Sequence, residues 1–323
     1  MNATHVILPL ILTGLLLTPE VHAQLLETNN LNNTISEYTA AGTPVGSGPL
    51  VSTGLNQPNA IAVSGNDMFI ANFANGDAGF GSISEYTLAG TPVGSGTVVS
   101  GLDGPSGIAV SGSDIFVANI ENNTVGEYTV AGAPVGSGTL VSGLDDPVGV
   151  AVSGSDIFIA DFADHTPGHG SINEYTIAGT PVGSGTLVSG LDGPVGIAVS
   201  GTDIFFANQD DETINEYTTA GMPVGSGTLV STGVDELEDI AVSGSDIFVA
   251  NFADGDAGDG SINEYTVAGT PVGSGTLVSG LDGPTGIALI PEPSLSVVLV
   301  GAGGVLITVC RRKRFIVSRE LQR

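Results

Sequence analysis

The chain has 323 residues, 41% hydrophobic and 12% charged, with 34 Asp and Glu against 6 Lys and Arg and a formal net charge of −28. So much apolar content with so few charges excludes a disordered polymer. The acid excess disfavours nucleic acid and anionic membrane surfaces as partners, and the single Cys310 excludes a disulfide-stapled domain.

Residues 1–23 read as a secretory signal peptide. An apolar stretch runs from Val6 to Leu17, and Val21-His22-Ala23 places small residues where a signal peptidase cuts. Cleavage after Ala23 makes Gln24 the first mature residue.

From Gln24 to Ile290 the chain is one repeated unit, seen most clearly from Asp239 to Asp282. A Glu-Tyr pair recurs at Tyr38, Tyr86, Tyr128, Tyr175, Tyr217 and Tyr265, at gaps of 48, 42, 47, 42 and 48 residues. A period in the forties suits a propeller blade of four short strands. Gly107–Val110 is a short apolar run fit for a strand buried on both faces. Asp114–Asn119 is rich in β-branched and aromatic residues. Thr213–Thr218 alternates apolar and polar side chains, and Thr139–Leu144 supplies a fourth strand. Ser-Gly, Ala-Gly-Thr-Pro and Gly-Ser-Gly between them are turn signals.

The strand count predicts how the ring closes. The chain begins on a second strand, Leu25–Asn29, and ends on a first strand, Gly286–Ile290. The expectation is an all-β, six-bladed propeller of four-stranded blades. One C-terminal strand joins three N-terminal ones in the last blade, so no open blade remains. The run from Pro105 to Val110, then Ile115 to Asn119, then Asn122 to Val125 resembles NHL-repeat propellers. That resemblance implies the fold and a binding role rather than a chemistry. The basic residue that NHL repeats often carry after the paired asparagines is missing here.

Candidate binding residues fall in the loops into the first strand and between the second and third. The former carry Asp103, Asp145, Asp192, Asp235 and Asp282. The latter alternate between long (72–81, 161–170, 251–260) and short (119–123, 208–212), which sets the uneven tyrosine spacing. Asp254, Asp256 and Asp259 alternate with small residues, as a flexible Ca²⁺ loop requires. Their spacing departs from an EF-hand, because residue 258 is Gly and no bidentate Glu follows. His165 and His169 have the ligand types for Zn²⁺, but Pro167 and Gly168 between them argue for a loop rather than a helix face. No nucleophile elbow, Cys-His pair or phosphate-binding loop is present.

Past Ile290 the character changes. Pro291-Glu292-Pro293 precedes a 17-residue apolar run, Ser294 to Cys310, about the shortest that spans a bilayer as a helix. Arg311, Arg312, Lys313 and Arg314 follow and should stay cytoplasmic. This order resembles the PEP-CTERM sorting signal of exported bacterial proteins, apart from the extra residues 315–323. The resemblance implies recognition by an exosortase, processing near Pro291–Pro293, and a Gram-negative host that makes exopolysaccharide.

The expected domains are therefore a signal peptide (1–23), a propeller (24–290) and a sorting and membrane anchor (291–323). The function expected first is an exported, surface- or matrix-associated, non-enzymatic protein. It binds polysaccharide or a protein partner through an acidic loop face, with Ca²⁺ as the one candidate cofactor. The alternative is a metal-dependent hydrolase or lactonase, which needs three or four converging donor side chains at the channel mouth. A purely structural spacer is the third reading.

Overall fold

A computed structural model describes residues 24–163, 165–252, 257–290, 297–300 and 304–307. Among these, five antiparallel sheets of four strands and one of three form six blades. We number the closing blade as the first. Blade 2 shows the pattern, with strands Pro58–Ser64, Asp67–Asn72, Gly81–Thr87 and Pro92–Leu102 running from the axis outward. Blades 3 to 6 start at inner strands Pro105–Ser111, Pro147–Ser153, Pro194–Ser200 and Leu237–Ser243.

The second strands explain why the blades stack. Alternate side chains on a strand point to opposite faces, and here both faces are apolar. In blade 4, Ile157 and Ile159 pack with Phe116, Val125 and Val141 of blade 3. Phe158 and Ala160 of the same strand pack with Ile204 and Phe206 of blade 5. The hydrophobic core is thus a set of six clusters, one at each seam between neighbouring blades.

The closure follows the strand count. Gln24–Asn29 pairs with Thr34–Thr39 on one side and with Pro284–Ile290 on the other. The outer strand of this blade is reduced to isolated bridges, Ile35 with Val51 and Tyr38 with Pro44. The cause is Pro49. The other five blades have Thr97, Thr139, Thr186, Thr228 or Thr276 at that position, each paired into the third strand. Proline has no N–H to give the ladder.

Beyond the propeller, Val297–Val300 and Gly304–Ile307 form an antiparallel pair of strands. This lies within the segment that the sequence predicts as a membrane helix. Its valine-rich composition suits a strand as well as a lipid-facing helix, and it is lipid that removes water as a partner for strand edges. No helix among the described residues is long and apolar enough to cross a membrane. Residues 1–23, read from the sequence as a signal peptide, and Pro291, Glu292, Pro293, Cys310 and Arg311 to Arg314 lie outside the described residues.

Candidate functional site at the channel mouth

The inner strands line the ring axis with Asn59-Ala60, Ser106-Gly107, Val148-Gly149, Val195-Gly196, Glu238-Asp239 and Thr285-Gly286. In five of the six pairs the second residue is Gly or Ala, which lets inner strands approach closely. A Cβ on Gly149 would lie 2.1 Å from the Val195 carbonyl oxygen, so no larger residue fits. The axial cavity is accordingly about 40 Å³, room for about two or three waters.

Blade 6 alone breaks the pattern, with two carboxyls. Asp239 Oδ1 accepts the Ile240 N–H at 2.8 Å, and its Oδ2 accepts the Ile287 N–H of blade 1 at 2.9 Å. Burial pushes the Asp239 carboxyl up to about 7 against these two donors. Glu238 Oε1 accepts Gln209 Nε2 at 2.9 Å. Burial pushes Glu238 up to about 8, helped by the charges of Glu236 and Asp239 and opposed by the Gln209 bond. Glu238 therefore mostly holds its proton near neutrality, while Asp239 titrates there. Ser106 and Thr285 spend their hydroxyls on the next blade, donating to the Pro147 and Pro58 carbonyls at 3.1 and 2.9 Å.

Around this mouth the loops alternate long and short, so the face repeats every two blades. Of the predicted binding aspartates, three lie on this rim as clamps. Asp103 accepts the Gly79 N–H of its own blade at 2.7 Å and Asn122 Nδ2 of the next blade at 2.9 Å. Asp282 accepts Asn32 Nδ2 at 2.8 Å, and Asp192 accepts the Gly168 N–H. At this last junction the residue matching Asn122 and Asn32 is Asp211, an acid facing an acid. Partial burial, with Asp192's charge adding, raises the Asp211 carboxyl. Asp211→Asn restores the clamp found at the other two junctions and keeps the Oδ1 that accepts from Thr213 at 2.7 Å. Solvent screens the site, so we expect a gain of about 1 kcal/mol. That should appear as a rise of about 2–4 °C in Tm at pH 7; a fall in Tm would overturn the clamp assignment.

Asp145 and Asp235 reach the same face with exposed side chains. Asp259 is exposed on the third long loop, while Asp254 and Asp256 lie outside the described residues. His165 Nδ1 sits 2.8 Å from Asp210 of the next blade, and its ring stacks edge-on against Phe162 with centroids 4.3 Å apart. No group of three or more His, Cys, Asp and Glu is placed to hold a metal ion among the described residues.

Sequence reasoning marked 235–239 as departing from the repeat but did not place Glu238 and Asp239 on the axis. It also passed over Gln57 and Asn59. The available signal was the same at both places: Asn-Gln-Pro-Asn and Asp-Glu-Leu-Glu-Asp interrupt a loop that otherwise reads Asp-Gly-Pro or, at 145–147, Asp-Asp-Pro.

No family model and no curated protein matches the chain. Among solved structures it is similar to a chain of the nidogen/laminin complex, with TM-score 0.66 and 14% identity over 83% of this chain and 98% of that one. A computationally designed protein, Ika8, aligns with 16% identity over 80% of this chain and 73% of that one, at TM-score 0.43. The first likeness is one of fold, and with the blade topology it defines the class: an all-β, six-bladed propeller.

Proposed function

We propose that the chain is an exported, envelope-anchored, non-enzymatic binding module. One observation carries this reading. Gln24 pairs with Ile290 at one end of the closing blade, and Asn29 pairs with Pro284 at the other. Both chain ends therefore leave from the face opposite the channel mouth, so a tether through residues 291–323 turns the long-loop face away from the membrane. The solved propeller most useful for comparison comes from a complex with a protein partner, which supports a binding role for this architecture. The signal-like N-terminus and the PEP-CTERM-like tail support export, exosortase handling and retention at the surface or matrix. Polysaccharide or a surface protein is the partner class, and Ca²⁺ at Asp254, Asp256 and Asp259 is the cation this reading accommodates.

The alternative hydrolase or lactonase is favoured only by the axial carboxyls Glu238 and Asp239. In Asp239's layer of the ring, Ala60, Gly107, Gly149, Gly196 and Gly286 bring no polar side chain, and in Glu238's layer Ser106 and Thr285 already donate their hydroxyls to carbonyls of the next blade. Asp239 already spends both oxygens on backbone N–H groups.

The test is expression of the full chain in a Gram-negative host that carries an exosortase. We expect a mature N-terminus at Gln24 and protease sensitivity on intact cells. We also expect loss of membrane association when residues 291–323 are removed. An uncleaved chain confined to the cytosol would sink the reading.

A further inference from the structure

The two-blade repeat places three equivalent positions around the long-loop face, and only one is built from amides. Asn30, Gln57, Asn59 and Asn75 line a pocket of about 360 Å³ where blades 6, 1 and 2 meet. By sequence, the matching residues of the repeat are Ile120, Asp146, Val148 and Asp164 for the second position and Gln209, Glu236, Glu238 and Asp254 for the third.

The fold does not demand the amides. Gln57, Asp146 and Glu236 share a left-handed backbone, with φ of 50°, 54° and 42°. Each lends its carbonyl to the N–H of the phenylalanine that opens the facing long loop, at 2.9, 3.0 and 3.0 Å. The backbone job is thus the same with an amide or an acid. Asn30 Nδ2 donates to Asn59 Oδ1 at 3.3 Å, which fixes one amide and leaves Asn59 Nδ2 without a partner among the described residues. Gln57 Oε1 accepts the Asn75 N–H, and its Nε2 is likewise left over. Phe73 and Phe252, both half-buried, line the pocket from the long loops on either side of blade 1. Glu238 and Thr285 form the wall toward the axis.

We infer that this pocket binds a neutral carbohydrate, one pyranose unit of a hydroxyl-rich glycan. A primary amide offers donors and an acceptor in one plane, which suits hydroxyls that both give and take hydrogen bonds. The phenyl rings suit the apolar C–H face of a sugar ring. The volume lies in the range of small-ligand sites, about 300–1,000 Å³. An anionic ligand finds no Lys or Arg between Gln24 and Ile290. A cation finds one carboxyl in the pocket lining, Glu238, which already accepts from Gln209. The inference rests on the long-loop face being the binding face.

The fold supplies its own safe variants. Asn59→Val and Gln57→Glu install residues that blades 4 and 6 already carry at these positions, and Phe73→Ala removes one ring. The protein is residues 24–290, which close into a ring without either terminal segment. The probes are neutral gluco-, galacto- and manno-oligosaccharides, uronic-acid oligosaccharides as the anionic control, and Ca²⁺ alone, read by calorimetry. We expect at least one neutral series to bind and Asn59→Val to weaken it at least tenfold, with Tm unchanged. Gln57→Glu should do the same, whereas Val148→Asn in blade 4 should not. Absence of binding by every neutral series, or binding indifferent to both variants, overturns the inference. Cleavage at Gln24 and surface exposure of the full chain, if unchanged in those variants, would leave the exported-module reading standing while the sugar assignment falls.

Discussion

A chain ending at Gly283 is expected to lose cooperative unfolding. Residues 284–290 supply the whole inner strand of the first blade, pairing along Gln24–Asn29. They also tie three blades together. Thr285 Oγ1 donates to Pro58 of blade 2 at 2.9 Å, the Gly286 N–H donates to Thr28 at 2.8 Å, and the Ile287 N–H reaches Asp239 of blade 6 at 2.9 Å. Ile287 belongs to the cluster between blades 6 and 1, while Ala288 and Ile290 belong to that between blades 1 and 2. Burying the two isoleucines alone stabilises by about 3–6 kcal/mol, comparable with the whole stability of a typical domain, about 5–15 kcal/mol. Their loss also leaves Gln24–Asn29 as a bare inner edge open to pairing with other chains. We expect a broad or absent calorimetric transition and concentration-dependent aggregation. A permutant joining Ile290 to Gln24, with new ends in the exposed turn at Gly65-Asn66, should melt like the parent. A truncated chain with one sharp transition near the parent Tm would refute the role assigned to this strand.

Stability should rise as pH falls from 8 to 5, the reverse of ordinary acid denaturation. Glu27 is the strongest case. It occupies the second-strand position that Ile70, Val117, Ile159, Phe206 and Val249 fill elsewhere, and it is fully buried. Burial pushes its carboxyl up to about 8, with hydrogen bonds from Asn29 and Ser36 opposing and the charge of Asp282 adding. Between about 4.5 and 8 the unfolded chain has released this proton and the folded chain has not. Folding then takes up protons, so stability falls with rising pH across that window and levels off above it. Glu238, Asp239 and Asp161 act in the same sense, their carboxyls pushed up to about 8, 7 and 7, with burial the first cause in each. Partial burial and a nearby Asp also raise Glu85, Glu127, Glu174, Glu216 and Glu264. The net charge of −28 adds repulsion that protonation relieves. Glu27→Gln keeps an acceptor for Asn29, whose Nδ2 lies 2.7 Å from Glu27 Oε2. We expect it to raise Tm by several degrees at pH 8.5 and to be near neutral at pH 4.5. A melting series in which wild type is most stable at pH 8, or in which Glu27→Gln is destabilising at pH 8.5, would contradict this account.

The sequence alone specifies the propeller. Forty-odd-residue spacing of Glu-Tyr, four strand-like runs per unit and a chain that starts on a second strand and stops on a first leave one closed arrangement. These are local and periodic signals, repeated until chance is averaged out. It also marked the loops that form one face, because their lengths alternate along the chain. What the acids do depends on contacts made by folding. Asp103, Asp192 and Asp282 read as free ligands until Asn122, the Gly168 N–H and Asn32 are brought against them from loops 19 to 250 residues away. Glu27 stands in a run that predicts only a strand, and its burial comes from ring closure packing that strand against the last one. Glu238 and Asn59 are 179 positions apart in number and meet only because six inner strands converge on one axis. Burial, and with it the charge state of a carboxyl or the freedom of an amide, belongs to neighbours that the local pattern does not contain.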